Sequence, residues 1–373
     1  MLKGKDMLSI HDLSVDEVQE ILALAKELKA KQKAGVPHEI LKGKTLGMLF
    51  EKSSTRTRVS FETGMYQLGG QALFLSNRDL QLGRGEPIRD TARVLSRYLD
   101  GIMIRTFGHD RVEELAKWAD IPVINALTDL LHPCQVLTDL LTIEEYKGKN
   151  LKGLKMAYVG DGNNMTNSFL YGCAKVGMTF VAATPEDYRP DETVFKNALE
   201  DAKETGAALS LVTDPKEAVK DADIVTVVTS GAAKPFIDDK WLKPGVLLSL
   251  PAEMRVPKDF MLSCRKVIDN KAMHQLWKEF QNCEGDFHEN VGIISSYMIQ
   301  YIDEGLMTWD DVTNIGDIIA GKAPGRTSHD ESILFCMGGM PVSDVAWGTE
   351  VYNKALEMGI GTKLNLWDEP YKL

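Results

Sequence analysis

The chain has 373 residues, 44% of them apolar and 26% charged, with 31 Gly and 14 Pro. That is enough for about two domains with real cores, and it excludes a disulfide miniprotein, a collagen-like chain and a disordered one. The formal net charge of −11 makes the molecule as a whole repel nucleic acid and anionic membrane, so an anionic ligand must be held by a local cluster of cations and backbone donors.

A first helix is expected over about Ser14–Ala30, opened by a capping box in which Ser14 is followed three residues later by Glu17. Its apolar stripe runs through Val18, Ile21, Leu22 and Ala25. Short β-rich runs then alternate with helical patterns, the signature of parallel sheets in an α/β protein. In the first half, strands are expected at Leu46–Phe50, Ala72–Leu75, Gly101–Ile104 and Pro122–Asn125. The charged, Gly-containing segment Glu144–Leu154 marks a junction between two domains, 1–147 and 148–373. Beyond it, strands are expected at Lys155–Gly160, Thr179–Ala183, Leu209–Thr213, Ile224–Val228, Val246–Pro251 and Lys266–Asp269. Val342–Leu356 reads as a last helix. The expected fold is α/β, two doubly wound parallel-sheet domains with the C-terminal helix packing back across them.

Five cysteines, Cys134, Cys173, Cys264, Cys283 and Cys336, are odd in number and form no CxxC pair. They point to reduced thiols in a cytoplasm and away from structural zinc. The start MLKGKDMLSI lacks the apolar run and cleavage site of a secretory signal, and no stretch reaches the ~18 apolar residues of a membrane span.

The densest chemical signal is EKSSTRTRVSFE, directly after the first strand. Ser54, Thr55, Arg56, Thr57 and Arg58 arrive in a row where a strand hands over to a helix, whose free N–H groups and partial positive charge complete a phosphate cradle. The alternative is a capped helix start with solvated arginines. A second signal is GDGNN at Gly160–Asn164, a strand–GxG–helix turn that invites a dinucleotide. Met165, however, stands where GxGxxG requires its third glycine.

The string SSTRTRVSFE closely resembles the carbamoyl phosphate motif of the aspartate and ornithine carbamoyltransferase family. Three further segments are similar to that family in the same order: Asp79–Phe107, Asn125–Glu145 with an HPxQ signature at His132, Pro133 and Gln135, and Lys155–Ser168. The resemblance implies Ser54, Thr55, Arg56 and Thr57 around the phosphate, and Arg105 bridging phosphate and carbonyl. It implies His132 and Gln135 at the carbamoyl oxygen and amino group, and Gln81 reaching a neighbouring subunit's site in a homotrimer. Arg56, Arg105, His132 and Gln135 are the expected catalytic group. Asn163 or Asn164 is expected to meet the acceptor.

Beyond about residue 225 the resemblance breaks. Where the ornithine enzymes carry an acidic residue and a Ser-Met-Gly turn, this chain reads TVVTSGAAKP. Their His-Cys-Leu-Pro loop aligns with Leu248–Pro251, so that Leu248 and Ser249 replace His and Cys while Leu250 and Pro251 remain. Ser249 and Leu250 are therefore the expected acceptor-side positions. The segments from Glu217 to Leu250, Val267–Asn270 and Gly316–Trp367 instead resemble the ornithine cyclodeaminase and mu-crystallin family, whose members bind NAD(H) or NADP(H). The APGRTSHDE string within the last of these is either a structural return segment or, through Arg326 and Asp330, part of an acceptor pocket.

The expected activity is transfer of the carbamoyl group of carbamoyl phosphate to an amino acid or diamine, ornithine by default, with no metal or organic cofactor and no nucleic-acid or membrane partner. Two alternatives stand beside it. One is an NAD(P)-dependent cyclodeaminase-like or opine dehydrogenase-like enzyme; the other is a protein that binds a phosphate ligand without turnover.

Overall fold

Ser14 caps the first helix, α1 (Val15–Lys33), as its spacing to Glu17 requires. The Ser14 hydroxyl accepts from the Glu17 amide at 3.1 Å, and the Glu17 carboxylate accepts from the Ser14 amide at 2.9 Å. The computed structural model describes residues 4–147, 150–228, 237–250, 256–280, 295–319, 321–328 and 330–336, all within one unit, Met1–Met337.

The next segment alternates strictly: β1 (Thr45–Phe50), α2 (Thr55–Gln67), β2 (Gln71–Ser76), α3 (Ile88–Leu95), β3 (Gly101–Arg105), α4 (His109–Trp118), β4 (Val123–Leu127) and α5 (Pro133–Lys147). The four strands form a parallel sheet in the order β2-β1-β3-β4. Leu46–Phe50 is buried throughout, as a strand covered on both faces must be. The chain leaves β1 to build β2 on one side and returns to build β3 on the other. A topological switch point therefore lies between β1 and β3, the place where open α/β sheets bind ligands at their carboxyl ends.

The second sheet has eight parallel strands. It begins with β5 (Lys155–Gly160), α6 (Asn164–Val176), β6 (Thr179–Ala183), α7 (Glu192–Thr205), β7 (Leu209–Val212), α8 (Pro215–Val219) and β8 (Ile224–Val228). It continues with β9 (Leu247–Leu250), α9 (Lys258–Ser263), β10 (Arg265–Ile268), α10 (Lys271–Phe280), α11 (Ser296–Asp303), β11 (Val312–Asn314), α12 (Ile315–Ile319) and β12 (Ile333–Cys336). The order is β11-β10-β12-β9-β8-β5-β6-β7. The strands expected from sequence are all present with ends shifted by no more than two residues, but β11 and β12 were not among them.

The APGRTSHDE segment leads into β12, which inserts between β9 and β10. Arg326 Nη1 donates to the Gly245 carbonyl at 3.1 Å, and the Gly245 amide donates to the Asp330 carbonyl at 3.1 Å. Gly245 precedes β9, so Arg326 and Asp330 sit at the amino ends of the strands and serve the return of the chain, not a pocket at the carboxyl ends. The helix expected over Val342–Leu356 lies outside the described residues.

Helices α1 and α5 belong by sequence to the first half, yet their apolar faces pack on α6 of the second. Val18, Leu22, Val136 and Leu140 share one buried cluster with Phe169, Leu170 and Cys173. Gly172 on α6 is what lets α5 approach. A Cβ there would stand 2.5 Å from Val136 Cγ1, and Val136 is fully buried with a stiff χ1. Gly172→Ala is therefore expected to lower stability by about 1–2 kcal/mol, overpacking outweighing the ~1 kcal/mol of helix propensity gained. The shift of the denaturant midpoint at unchanged slope measures it; a more stable variant would refute the close approach.

Candidate active site

Ser54 is the N-cap of α2, its hydroxyl accepting from the Thr57 amide at 3.3 Å. Thr55 and Arg56 are exposed in the first turn, and Thr57 is half-buried. The first turn contains no acidic residue, so the positive end of the helix is uncompensated by its own side chains.

Arg105 is the last residue of β3 and reaches across the switch point. Its Nη1 donates to Thr57 Oγ1 at 3.3 Å, while its Nε is buried with no hydrogen-bond partner among the described residues. Burial, and then the nearby charge of Arg56, lower its pKa. Both causes disfavour a cation here. Two like charges and an orphaned donor thus converge beside the start of α2.

His132 enters from the loop between β4 and α5. Its backbone amide donates to Ser168 Oγ at 2.7 Å, which pins the residue to α6, and its Nδ1 is buried and unpaired among the described residues. Burial, assisted by the charge of Arg105, pushes its pKa down to about 4, so the imidazole is neutral at pH 7. Gln135, in the first turn of α5, is exposed and donates through Nε2 to Asp139 Oδ1 at 2.9 Å. Burial pushes the Asp139 carboxyl up to about 7, against the lowering effect of that hydrogen bond. Gln81 lies on the exposed turn after β2.

The loop after β1 is held by a pair that the sequence reading did not single out. Glu51, almost buried, accepts from Arg111 Nε at 2.8 Å and also from Arg111 Nη2 and Thr106 Oγ1. The Glu51 amide donates to the Arg105 carbonyl at 2.9 Å. The Glu51 carboxylate, just before the cradle in sequence, is thus paired with Arg111.

On the second sheet, Asn163 and Asn164, expected at the acceptor, each make a hydrogen bond within the protein. The Asn163 side-chain oxygen caps α6, accepting from the Met165 amide at 2.9 Å and the Thr166 amide at 3.4 Å. Asn164 Nδ2 donates to the Thr128 carbonyl at 2.8 Å, tying α6 to the His132 loop. Ser249 and Leu250 lie in β9 near its carboxyl end, and their side chains lie outside the described residues. Leu248 is fully buried in the sheet core.

The glycine turn after β5 also has an internal purpose. A Cβ on Gly162 would stand 2.2 Å from the backbone of Arg189 and Pro190, and its amide donates to the Tyr188 carbonyl at 2.7 Å. The close approach that a GxG turn would offer to a pyrophosphate is used here by the chain itself. A separate cavity of about 500 Å³, lined by residues that include His11, His109 and Asp191, contains none of the expected site residues.

Three loops at the carboxyl ends of one parallel sheet carry a helix start, a half-buried arginine and a neutral imidazole, the last two with nitrogens unpaired among the described residues, an α/β arrangement suited to a small anion. Comparison with known proteins gives that arrangement a family. The aspartate/ornithine carbamoyltransferase carbamoyl-P binding domain matches residues 5–145, and the ornithine cyclodeaminase/mu-crystallin family matches residues 152–359. The ornithine carbamoyltransferase of Anoxybacillus flavithermus is 61% identical over 224 residues, 60% of this chain and 71% of the relative. The ornithine carbamoyltransferase of Bacillus subtilis is 58% identical over 224 residues, 60% of this chain and 69% of that protein. Among solved structures, the ornithine carbamoyltransferase of Pyrococcus furiosus is similar with a TM-score of 0.64 and 48% identity, covering 67% of this chain and 86% of that one. The chain belongs to the aspartate/ornithine carbamoyltransferase family and, over residues 152–359, also to the ornithine cyclodeaminase/mu-crystallin family.

Proposed function

We propose that this enzyme transfers the carbamoyl group of carbamoyl phosphate to the side-chain amine of ornithine, releasing citrulline and phosphate. The observation that carries the reading is the pair of buried nitrogens, Arg105 Nε and His132 Nδ1, that have no hydrogen-bond partner among the described residues, together with the Ser54–Thr57 helix start. A buried polar nitrogen without a partner costs roughly 1–3 kcal/mol, a cost explained when a ligand supplies the acceptor.

In this reading Ser54, Thr55, Arg56 and Thr57 hold the phosphate, and Arg105 spans phosphate and carbonyl. His132 steadies the carbonyl oxygen and Gln135 the amino group. The neutral amine attacks the carbonyl carbon, negative charge grows on the carbonyl oxygen, and the bond from carbon to the phosphate oxygen breaks. The proton lost by the amine ends on the departing phosphate. Fixed donors aimed at both oxygens act more strongly in the transition state than in the ground state, which is where catalysis gains.

We assign residues 1–147 to carbamoyl phosphate and 148–373 to the acceptor, with recognition by groups at the carboxyl ends of β8 and β9, including Ser249 and Leu250. The reading extends to a homotrimer in which Gln81 faces a neighbouring subunit. It is supported by the edge strand β2, where Leu73 and Phe74 are 37% and 38% exposed beside Tyr66 at 60%. A cytoplasmic setting is supported by the free thiols of Cys134, Cys173, Cys264 and Cys336.

The test is incubation with carbamoyl phosphate and, separately, ornithine, lysine or putrescine, following phosphate and ureido product. Citrulline formed in step with phosphate is expected. Ureido product from another amine alone would replace the acceptor, and turnover seen only with NAD(P)H would replace the reaction.

A further inference from the structure

Gln135 and Asp139 stand one turn apart on α5, joined by the 2.9 Å hydrogen bond from Gln135 Nε2 to Asp139 Oδ1. Once ionised, as at pH 8, the Asp139 carboxylate can only accept, so the amide turns its nitrogen toward Asp139, which directs Oε1 to the opposite side. The two ends of an amide are nearly equal in shape and opposite in polarity. Which end faces the ligand decides whether Gln135 can accept a hydrogen bond there or only donate one.

We propose that Asp139 is a positioning residue that fixes the Gln135 amide with its oxygen toward the substrate, so that the site selects an acyl phosphate bearing an amino group over one bearing a methyl group. The inference rests on the carbamoyl-transfer reading and deepens it. A Gln135 free to rotate could present its own NH₂ to the ligand's NH₂, a donor facing a donor. Held by Asp139, it presents an acceptor. A site built around an N–H of its ligand rejects an analogue lacking that group, because the acceptor is left unpaired. The simpler role for such a pair is helical: an i,i+4 hydrogen bond between Gln and Asp supports α5 whatever ligand is present. The two roles differ in ligand dependence.

The experiment is calorimetric titration at pH 8 of the unsubstituted chain, Asp139→Leu and Asp139→Asn with carbamoyl phosphate, acetyl phosphate and inorganic phosphate. Asp139→Leu is expected to bind carbamoyl phosphate roughly five- to tenfold more weakly, the value of one hydrogen bond, with the other two ligands unchanged. Asp139→Asn keeps an acceptor oxygen and is expected to retain the original discrimination. Equal weakening for all three ligands, unchanged discrimination in Asp139→Leu, or Asn behaving like Leu would each overturn the positioning role. If the leucine variant does not fold, Asp139→Ser, too short to reach Gln135, carries the same expectation. Failure of the unsubstituted chain to bind carbamoyl phosphate would instead remove the transferase reading itself, a result distinct from binding without Asp139-dependent discrimination.

Discussion

Arg105→Met is expected to slow carbamoyl transfer by about 10²–10³-fold, the usual loss when one preorganised donor to a developing oxyanion is removed, while leaving the melting temperature unchanged or raised. The two halves of this result have one cause. The guanidinium is half-buried, its Nε has no partner among the described residues, and its hydrogen bond there is a 3.3 Å contact from Nη1 to Thr57. Burial and the charge of Arg56 both oppose it. Methionine keeps most of the aliphatic stem and removes the unfavourable charge. Inorganic phosphate should in turn stabilise the unsubstituted chain, by up to ~2.7 kcal/mol at a hundredfold excess over its dissociation constant, and the variant less. A melting temperature that falls with the rate would mean that Arg105 is a structural cation, and the anion site would have to be sought elsewhere.

His132→Ala is expected to cost about 10²-fold in rate at pH 8 and to change how stability responds to acid. In the folded chain the His132 pKa lies near 4, below its ordinary 6.5. Between those values the unfolded chain takes up a proton that the folded chain refuses, so the contribution of His132 is full above about 6.5 and is lost as pH falls toward 4. Asp139 acts in the opposite sense. Its folded pKa of about 7 lies above the ordinary 3.8, so its contribution is full at low pH and is lost as pH rises through 7. In the unsubstituted chain the two trends oppose each other over about pH 4–6.5. In His132→Ala the opposition is gone, and the melting temperature should rise relative to the unsubstituted chain as pH falls from 7 to 5. Parallel curves for the two proteins would contradict a neutral buried imidazole at this position.

Much of this architecture is legible locally, because its causes are local. The Ser14–Glu17 capping box and the strand runs are bounded by their own residues, and both stand where expected. Ser54, Thr55, Arg56 and Thr57 are consecutive, so their convergence needs no tertiary knowledge. β12 is different: four residues, ILFC, inside a segment of turn and charged residues, placed by pairing with β9 and β10 that are far away in the chain. No local period marks such a strand. Asn163 and Asn164 carry structural bonds that a local reading does not show. Side-chain amides at the end of a strand read as ligand groups; the same position is also a helix N-cap, which Asn163 fills. Glu51 and Asp139 look like ordinary acids in sequence. For Asp139 the usable signal was its i+4 spacing from Gln135; for Glu51 there was none, since Arg111 meets it only through the fold.

The ties between the His132 loop and α6 bear on how two families could meet in one polypeptide. Thr128, Leu130 and His132 are each held by α6, through Asn164, Asn167 and Ser168, and α6 ends at Val176. The likeness to ornithine carbamoyltransferases extends over 224 residues, well past that helix. These ties therefore lie within the stretch that is like the ornithine carbamoyltransferases, and α6 falls in the part that the two likenesses share. These ties run through side chains of α6 itself, so the strands beyond β8 can differ from those of the ornithine carbamoyltransferases without cutting any of them, and the facing side of the second sheet can change while the His132 loop keeps its place.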